Sequence, residues 1–102
     1  MAIVLVALGS NRCHGRHGRP EGVVRAALVA LAGLGPIVRA SPIIATAPIG
    51  PGTRRYANAV VAMDWDGSLP ALLRALKAIE QQFGRRAGRR WGDRVLDLDI
   101  VG

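Results

Sequence analysis

The sequence predicts an α+β fold, in which an antiparallel sheet carries two helices on one face. Three observations support this prediction: short aliphatic runs typical of strands, two stretches with apolar residues at helical spacing, and their order βαββαβ along the chain. With 102 residues, half of them apolar, the chain has the size of one domain and can bury a modest core. Residues 1–102 are therefore predicted to form a single domain.

A strand and a helix are predicted in the first third of the chain. The run IVLVAL at residues 3–8 is continuously apolar and is followed by the turn-forming residues GSN, as expected of a central strand. Residues 11–20 contain breakers and no periodicity, which indicates a loop. Residues 21–32 are predicted to be helical, because apolar residues recur at helical spacing until glycines and a proline end the pattern. Those apolar residues are Val24, Ala27, Leu28 and Leu31.

The middle of the chain predicts two strands joined by a loop. Residues 37–46 favour a strand, but Pro42 has no backbone N–H for the ladder, which indicates an edge strand or a bulge. Residues 47–55 are rich in glycine and proline and are predicted to form a loop. Residues 56–65 are predicted to form the next strand, which the turn-forming residues DGS close.

The last third of the chain predicts a helix, a loop and a final strand. Ser68 can cap the helix, and Pro70 is tolerated in its first turn. Residues 85–94 are basic and contain glycine, which indicates a loop, and residues 95–101 are predicted to form the last strand. The resulting order suits the ferredoxin-like plan, whose second strand lies at a sheet edge where Pro42 is tolerated. The apolar stripe of the helix is predicted to comprise Leu69, Leu72, Leu73, Leu76, Ile79 and Phe83.

The charge of the chain is strongly positive. Its 14 basic and 7 acidic residues give a net charge of +7, which attracts polyanions such as nucleic acid, nucleotides or phosphorylated metabolites. A proteome that is generally rich in arginine would explain most of this positive charge as well as a polyanionic partner does. It would not explain the local cluster of arginines at residues 85–94. The predicted strands carry no paired aromatic residues for base stacking, so no specific nucleic-acid partner is predicted.

The cysteine content and the hydropathy pattern indicate a cytoplasmic protein. Cys13 is the single cysteine, which excludes an internal disulfide and suits a reducing compartment. No apolar run approaches the roughly 20 residues of a membrane-spanning helix, so no membrane partner is predicted. The opening residues lack a basic segment ahead of their apolar run and are interpreted as a buried strand rather than a signal peptide.

Two aspartates on the last predicted strand are the candidates for a functional site. Because side chains alternate along a strand, Asp97 and Asp99 share one face, roughly 6–7 Å apart along the strand. Carboxylates held this close repel one another unless cations compensate, and Mg²⁺ is commonly shared between carboxylates, water and phosphates. The alternative is a solvated strand face, or carboxylates paired with arginines. The arginines within residues 85–94 favour a site for metal and phosphate.

The stretch RRWGDRVLDLDI at residues 89–100 resembles the signature RWGPRTLDLDI of the 6-hydroxymethyl-7,8-dihydropterin pyrophosphokinase (HPPK) family. Four other stretches are similar to the family in the same order: VALGSN, TAPIG, YANAVVAMD and IEQQFGR. The resemblance implies transfer of pyrophosphate from ATP to the hydroxymethyl group of a reduced pterin, with release of AMP, in folate biosynthesis. It also implies that the family continues for roughly fifty residues beyond the position of Gly102. A closed pterin pocket would then need a face from a region outside this sequence or from a partner chain, which leaves a homo-oligomer open.

The resemblance implies roles for the residues that handle phosphate. Asp97 and Asp99 would hold two Mg²⁺ ions that bridge the phosphates of ATP. Arg85 and Arg94 would neutralise charge as the β-phosphorus is attacked, since phosphoryl transfer depends mainly on positioning and charge neutralisation. Without the resemblance, Arg85, Arg89 and Arg90 could form an ordinary solvated loop. Glu80 could simply pair with an arginine one turn away. The residues implied to contact the nucleotide are Glu80, Arg90, Trp91 and Ile100.

The resemblance also implies a pterin site. A flat heterocycle needs a stacking face and a few fixed polar groups, which Tyr56 and Asn58 would supply. Both residues could instead be ordinary members of a strand. The alternative function is a non-catalytic module that binds pterin or nucleotide and derives from the enzyme. The residues implied to contact the pterin are Thr46, Ala47, Pro48, Ile49, Tyr56, Asn58 and Trp91.

Overall fold

The structure of the chain is a computed structural model that describes residues 2–10, 19–46, 56–84 and 96–102. The strands form one antiparallel sheet in the order β2-β4-β1-β5, and β3 also pairs with β4. This order fits a ferredoxin-like sheet, so the predicted α+β fold is confirmed. The elements are β1 (Ile3–Ser10), α1 (Pro20–Ala32), β2 (Ile37–Ala40), β3 (Ile44–Thr46), β4 (Tyr56–Asp64), α2 (Leu69–Gly84) and β5 (Asp97–Ile100).

The predicted second strand is split in two by Pro42. Strands β2 and β3 both pair with β4, and residues 41–43 between them belong to neither strand. At the break, the backbone N–H of Ser41 donates to the carbonyl of Val60 at 2.8 Å, and the Ser41 hydroxyl accepts from the Val60 N–H at 2.9 Å. The hydroxyl therefore continues the pairing where proline interrupts the backbone ladder. The prediction that Pro42 marks an edge strand or a bulge is confirmed, because β2 is the end strand of the described sheet and residues 41–43 lie opposite only two residues of β4.

Helix α1 begins one residue earlier than predicted, with Pro20 in its first turn. A proline suits this position because the first N–H groups of a helix have no partner within it. Glu21 places an acidic side chain in the same turn, where it complements the helix dipole. The helix leads into a tight turn in which a Cβ on Gly35 would collide with the carbonyl of Asp64. The approach of this turn to β4 therefore requires glycine at position 35.

Helix α2 has the predicted cap but a narrower apolar stripe. The Ser68 hydroxyl accepts the N–H of Ala71 at 3.2 Å, which confirms the N-cap. Leu69 and Leu73 of the predicted apolar stripe are 54% and 44% exposed, so the sheet covers only part of that stripe. Leu73 follows Leu72 by about 100° around the helix, which turns it away from the sheet. The buried residues of the stripe are Leu72, Leu76, Ile79 and Phe83.

One face of the sheet is buried beneath both helices. Helix α1 contacts β1 and β4, helix α2 contacts β5, and the two helices contact each other. Residues that pair directly across strands share a face, as Val6 and Val61 do at the centre of the core. The core residues supplied by the strands, together with Leu96 just before β5, are Val4, Val6, Leu8, Ala57, Ala59, Val61, Met63 and Leu98. The opposite face of the sheet is directed away from the helices.

No helix within the ranges that the structure describes has the length and apolar character needed to cross a membrane.

Candidate active site

The face of the sheet away from the helices carries a row of three residues at one end. Gly9 on the central strand β1 pairs with Asn58 on β4 and with Asp97 on β5. Directly paired residues point to the same face, so the amide and the carboxylate flank a position that has no side chain. Neighbouring strands lie about 4.8 Å apart, which separates the backbones of Asn58 and Asp97 by roughly twice that distance. In this row, an uncovered stretch of backbone at Gly9 lies between the polar side chains of Asn58 and Asp97.

The predicted alternation along β5 is confirmed. Asp97 and Asp99 are exposed, whereas Leu98 between them is 3% exposed and belongs to the core. Asp99 pairs with Ala7 on β1, two residues before Gly9, so the second carboxylate lies in the next row of the same face. The small side chains on β1 leave space beside both acids. The two carboxylates therefore project to one side, over the same part of the sheet.

Gly9 leaves room for the Asn58 side chain. A Cβ on Gly9 would lie 3.0 Å from Oδ1 of Asn58, closer than a carbon and an oxygen normally approach. The Asn58 amide thus leans over β1 towards the carboxylate side of the face. A side chain at position 9 is therefore disfavoured by the space that Asn58 occupies and not by the backbone conformation of Gly9.

These residues border one cleft of about 230 Å³. Small-molecule sites usually measure about 300–1,000 Å³, so the cleft can hold one flat ring or a few phosphate oxygens but not two whole substrates. Its described walls can therefore contact only part of a larger ligand. The cleft is lined by Ala7, Leu8, Gly9, Ser10, Tyr56, Asn58, Asp97 and Asp99.

The two carboxylates fit a hard divalent cation that is shared with a ligand. Within the described parts of the chain, no three side chains of histidine, cysteine, aspartate or glutamate come together as a complete metal site. Mg²⁺ does not need such a site, since one or two carboxylates commonly hold it together with water and phosphate oxygens. Asp97 and Asp99 suit this mode because both are exposed at the cleft. The donor set therefore suits a metal that arrives with a phosphorylated ligand.

Glu80 contacts the outer edge of β5, on the side away from β1, and does not line the cleft. Its Oε2 accepts the backbone N–H of Leu98 at 2.8 Å, which joins helix α2 to the strand that carries the two aspartates. Sequence reasoning missed this contact, because it links a side chain to a backbone group 18 positions away and has no motif. Its predicted proximity to a nucleotide remains a prediction.

The remaining candidate residues fall into two groups. Thr46 pairs through its backbone with Tyr56, at the end of β3 that reaches the cleft. Ile100 pairs with Val6 and packs against the core, so its side chain is on the helix side of the sheet. The other predicted residues lie outside the part of the chain that the structure describes: Ala47, Pro48, Ile49, Arg85, Arg90, Trp91 and Arg94.

The family model for 7,8-dihydro-6-hydroxymethylpterin-pyrophosphokinase (HPPK) matches residues 5–102 of this chain. The chain belongs to the HPPK family. The match runs from the third residue of β1 through β5, and it confirms the family that the aspartate signature and the four other stretches indicated.

Individual HPPK relatives are similar over almost the whole chain. The 2-amino-4-hydroxy-6-hydroxymethyldihydropteridine pyrophosphokinase of Pseudomonas aeruginosa is 42% identical over 101 residues, covering 96% of this chain and 59% of that protein. The protein of the same name from Haemophilus influenzae is 38% identical over 104 residues, covering 99% of this chain and 62% of that protein. The mitochondrial folate synthesis bifunctional protein of Pisum sativum is 36% identical over 99 residues, or 18% of its length. The chain thus spans about three fifths of the two bacterial HPPK relatives.

Proposed function

We propose that the chain transfers pyrophosphate from ATP to the hydroxymethyl group of 6-hydroxymethyl-7,8-dihydropterin and releases AMP. In this reaction the hydroxymethyl oxygen attacks the β-phosphorus, and the bond from that phosphorus to the α–β bridging oxygen breaks. AMP leaves with the bridging oxygen, and the hydroxyl proton passes to water. The observation that supports the proposal is the HPPK match, together with a cleft that joins Tyr56 and Asn58 to Asp97 and Asp99.

Asp97 and Asp99 would hold two Mg²⁺ ions that arrive with ATP. When bound, the ions would neutralise phosphate charge and align the triphosphate. The carboxylates are suited to this because both are exposed on the same side of β5 at the cleft. Arg85 and Arg94, outside the described residues, would supply further positive charge at the β-phosphorus, as the family signature implies.

The pterin would occupy the part of the cleft between β1 and β4. Tyr56 is half-exposed at the start of β4 and would stack on the ring, and the Asn58 amide would bond its polar edge. Backbone groups of residues 46–49 would contact the same edge. The described walls of the cleft enclose less space than two substrates need, so we infer that the rest of the pocket comes from residues outside the described ranges or from a second copy.

The reaction would take place in the cytoplasm, where ATP and a reduced pterin are available and the lone Cys13 stays reduced. No membrane and no specific nucleic acid is part of the proposal.

Release of AMP tests the proposed activity. The protein is incubated with MgATP and 6-hydroxymethyl-7,8-dihydropterin, and AMP is measured by a coupled assay with and without the pterin. Pterin-dependent AMP that disappears on chelation of Mg²⁺ is expected. The absence of such AMP at high protein concentration would defeat the claim.

Calorimetry separates the proposed enzyme from a binding module. Heat of binding for the pterin or for Mg²⁺ with α,β-methylene-ATP, without AMP release in the assay above, would identify a non-catalytic module. Binding of neither ligand would reject both functions.

A further inference from the structure

Strand β5 is paired on one edge only within the described sheet. It is the last strand in the order β2-β4-β1-β5, and it is only four residues long. In an antiparallel pair, alternate residues direct their N–H groups towards the partner strand and away from it. The N–H of Leu98 is directed away from β1, because it donates to Glu80. A short strand held on one side could twist or shift, and its two carboxylates would move with it.

The contact from Glu80 holds the other edge of this strand. The donor is the residue between Asp97 and Asp99, and the 2.8 Å distance is that of a strong hydrogen bond to a charged acceptor. Glu80 itself belongs to a turn of α2 that the buried residues Ile79 and Phe83 anchor in the core. The acceptor is therefore fixed to the rigid body of the protein rather than to a flexible loop.

We propose that Glu80 is a positioning residue that sets the orientation of the Asp97 and Asp99 carboxylates through the Leu98 N–H. The inference rests on the proposed function in that it makes these aspartates the metal-binding pair. Glu80 touches the backbone of β5 on the side away from the cleft, so it acts through the strand rather than as a metal ligand. Twisting or slipping of β5 would change the angle between the two carboxylates even while the core stays folded.

Three variants separate positioning from charge. Glu80→Ala removes the acceptor, whereas Glu80→Gln keeps an oxygen that accepts the Leu98 N–H but removes the negative charge. Gln81→Ala is the matched control, because Gln81 is the next residue of the same helix and is exposed. Amide hydrogen exchange at Leu98 and the carboxyl carbon resonances of Asp97 and Asp99 report on the strand itself. Affinity for Mn²⁺ in the presence of α,β-methylene-ATP reports on the metal pair, at a temperature where every variant is folded.

Glu80→Ala is expected to speed exchange at Leu98 and to weaken Mn²⁺ binding, each by about tenfold or more, which is the usual effect of losing a hydrogen bond to a charged group. Glu80→Gln is expected to stay close to the unaltered protein in both measurements, and Gln81→Ala to change neither. Unchanged Leu98 exchange in Glu80→Ala would overturn the inference. Equal loss of Mn²⁺ binding in Glu80→Gln and Glu80→Ala would also overturn it, since the charge would then act directly.

Failure of the proposed function can be distinguished from failure of the positioning role of Glu80. If the unaltered protein released no AMP and bound no Mn²⁺, the proposed function would fall, while the role of Glu80 would be decided by Leu98 exchange and the two carboxyl resonances. Movement of both resonances in Glu80→Ala but not in Gln81→Ala would support the positioning role. Resonances that stay in place would refute it.

Discussion

Gly9 and Asn58 lie directly opposite each other on adjacent antiparallel strands, and a Cβ on Gly9 would stand 3.0 Å from Oδ1 of Asn58. The missing side chain on one strand is therefore what allows the amide on the other to extend over the sheet. Asp97 occupies the other side of the same glycine, so a change at position 9 affects the polar groups that border the cleft.

Replacement of Gly9 by alanine should weaken pterin binding. The added methyl group forces the Asn58 amide to rotate or shift, and a displaced hydrogen-bonding group costs about tenfold in affinity. Calorimetric titration with 6-hydroxymethyl-7,8-dihydropterin measures the effect.

Gly33→Ala is the control for this substitution. Gly33 ends α1 with φ −74°, a conformation that alanine adopts, and it is exposed. Its variant should bind pterin normally, so a similar loss in both variants would point to general destabilisation instead of an effect on Asn58.

Replacement of Asp97 or Asp99 by asparagine should remove Mg²⁺-dependent nucleotide binding and leave the fold intact. Asparagine keeps the size of the side chain but loses the charge that a hard cation requires. Both residues are exposed, so the free energy of unfolding should change by no more than about 0.5 kcal/mol. Titration with α,β-methylene-ATP at several Mg²⁺ concentrations, together with thermal unfolding, provides the two measurements. Asp66→Asn, an exposed acid beyond the end of β4, serves as control.

Unfolding of either asparagine variant would contradict this prediction. It would mean that the main role of the two carboxylates is to stabilise the sheet rather than to bind a metal.

Replacement of Tyr56 by alanine should reduce pterin affinity by about tenfold, in line with the energy of stacking on an aromatic ring. Tyr56 is 48% exposed and lines the cleft, so its ring offers a face to a ligand without being part of the core. Tyr56→Phe keeps the ring and should bind nearly as well as the unaltered protein. Calorimetry with pterin alone measures both variants. Equal weakening in alanine and phenylalanine would show that the hydroxyl group, rather than the ring, carries the interaction.

The elements and the faces of the strands could be predicted because they follow from periodicity. Side chains alternate with a period of two, so the common face of Asp97 and Asp99 needs no knowledge of the tertiary structure. Helix α1 is similarly marked by its apolar spacing and by the proline and glycines at its ends. The family signature placed the candidate residues along the chain, but it did not indicate how the strands pair.

The features that could not be predicted depend on contacts across the sheet. The row of Asn58, Gly9 and Asp97 exists only in the register of three strands that are far apart in sequence. The contact between Glu80 and Leu98 joins a side chain to a backbone group, for which the sequence has no signal. Leu73 is exposed because the sheet covers only part of the apolar side of α2. Helical periodicity alone does not show how wide the covered part is.

The replacement of Ser41 by alanine tests the break between β2 and β3. The Ser41 hydroxyl accepts the Val60 N–H at 2.9 Å, next to the position where Pro42 cannot donate. Alanine leaves that N–H to water, since the site is exposed, so the free energy of unfolding should fall by about 0.5–1.5 kcal/mol. Chemical denaturation measures the loss, and Ser41→Thr, which keeps the hydroxyl, should retain most of the stability. If alanine and threonine were equally stable, the hydroxyl would not contribute, and the pairing of Val60 across the break would depend on the backbone of Ser41 alone.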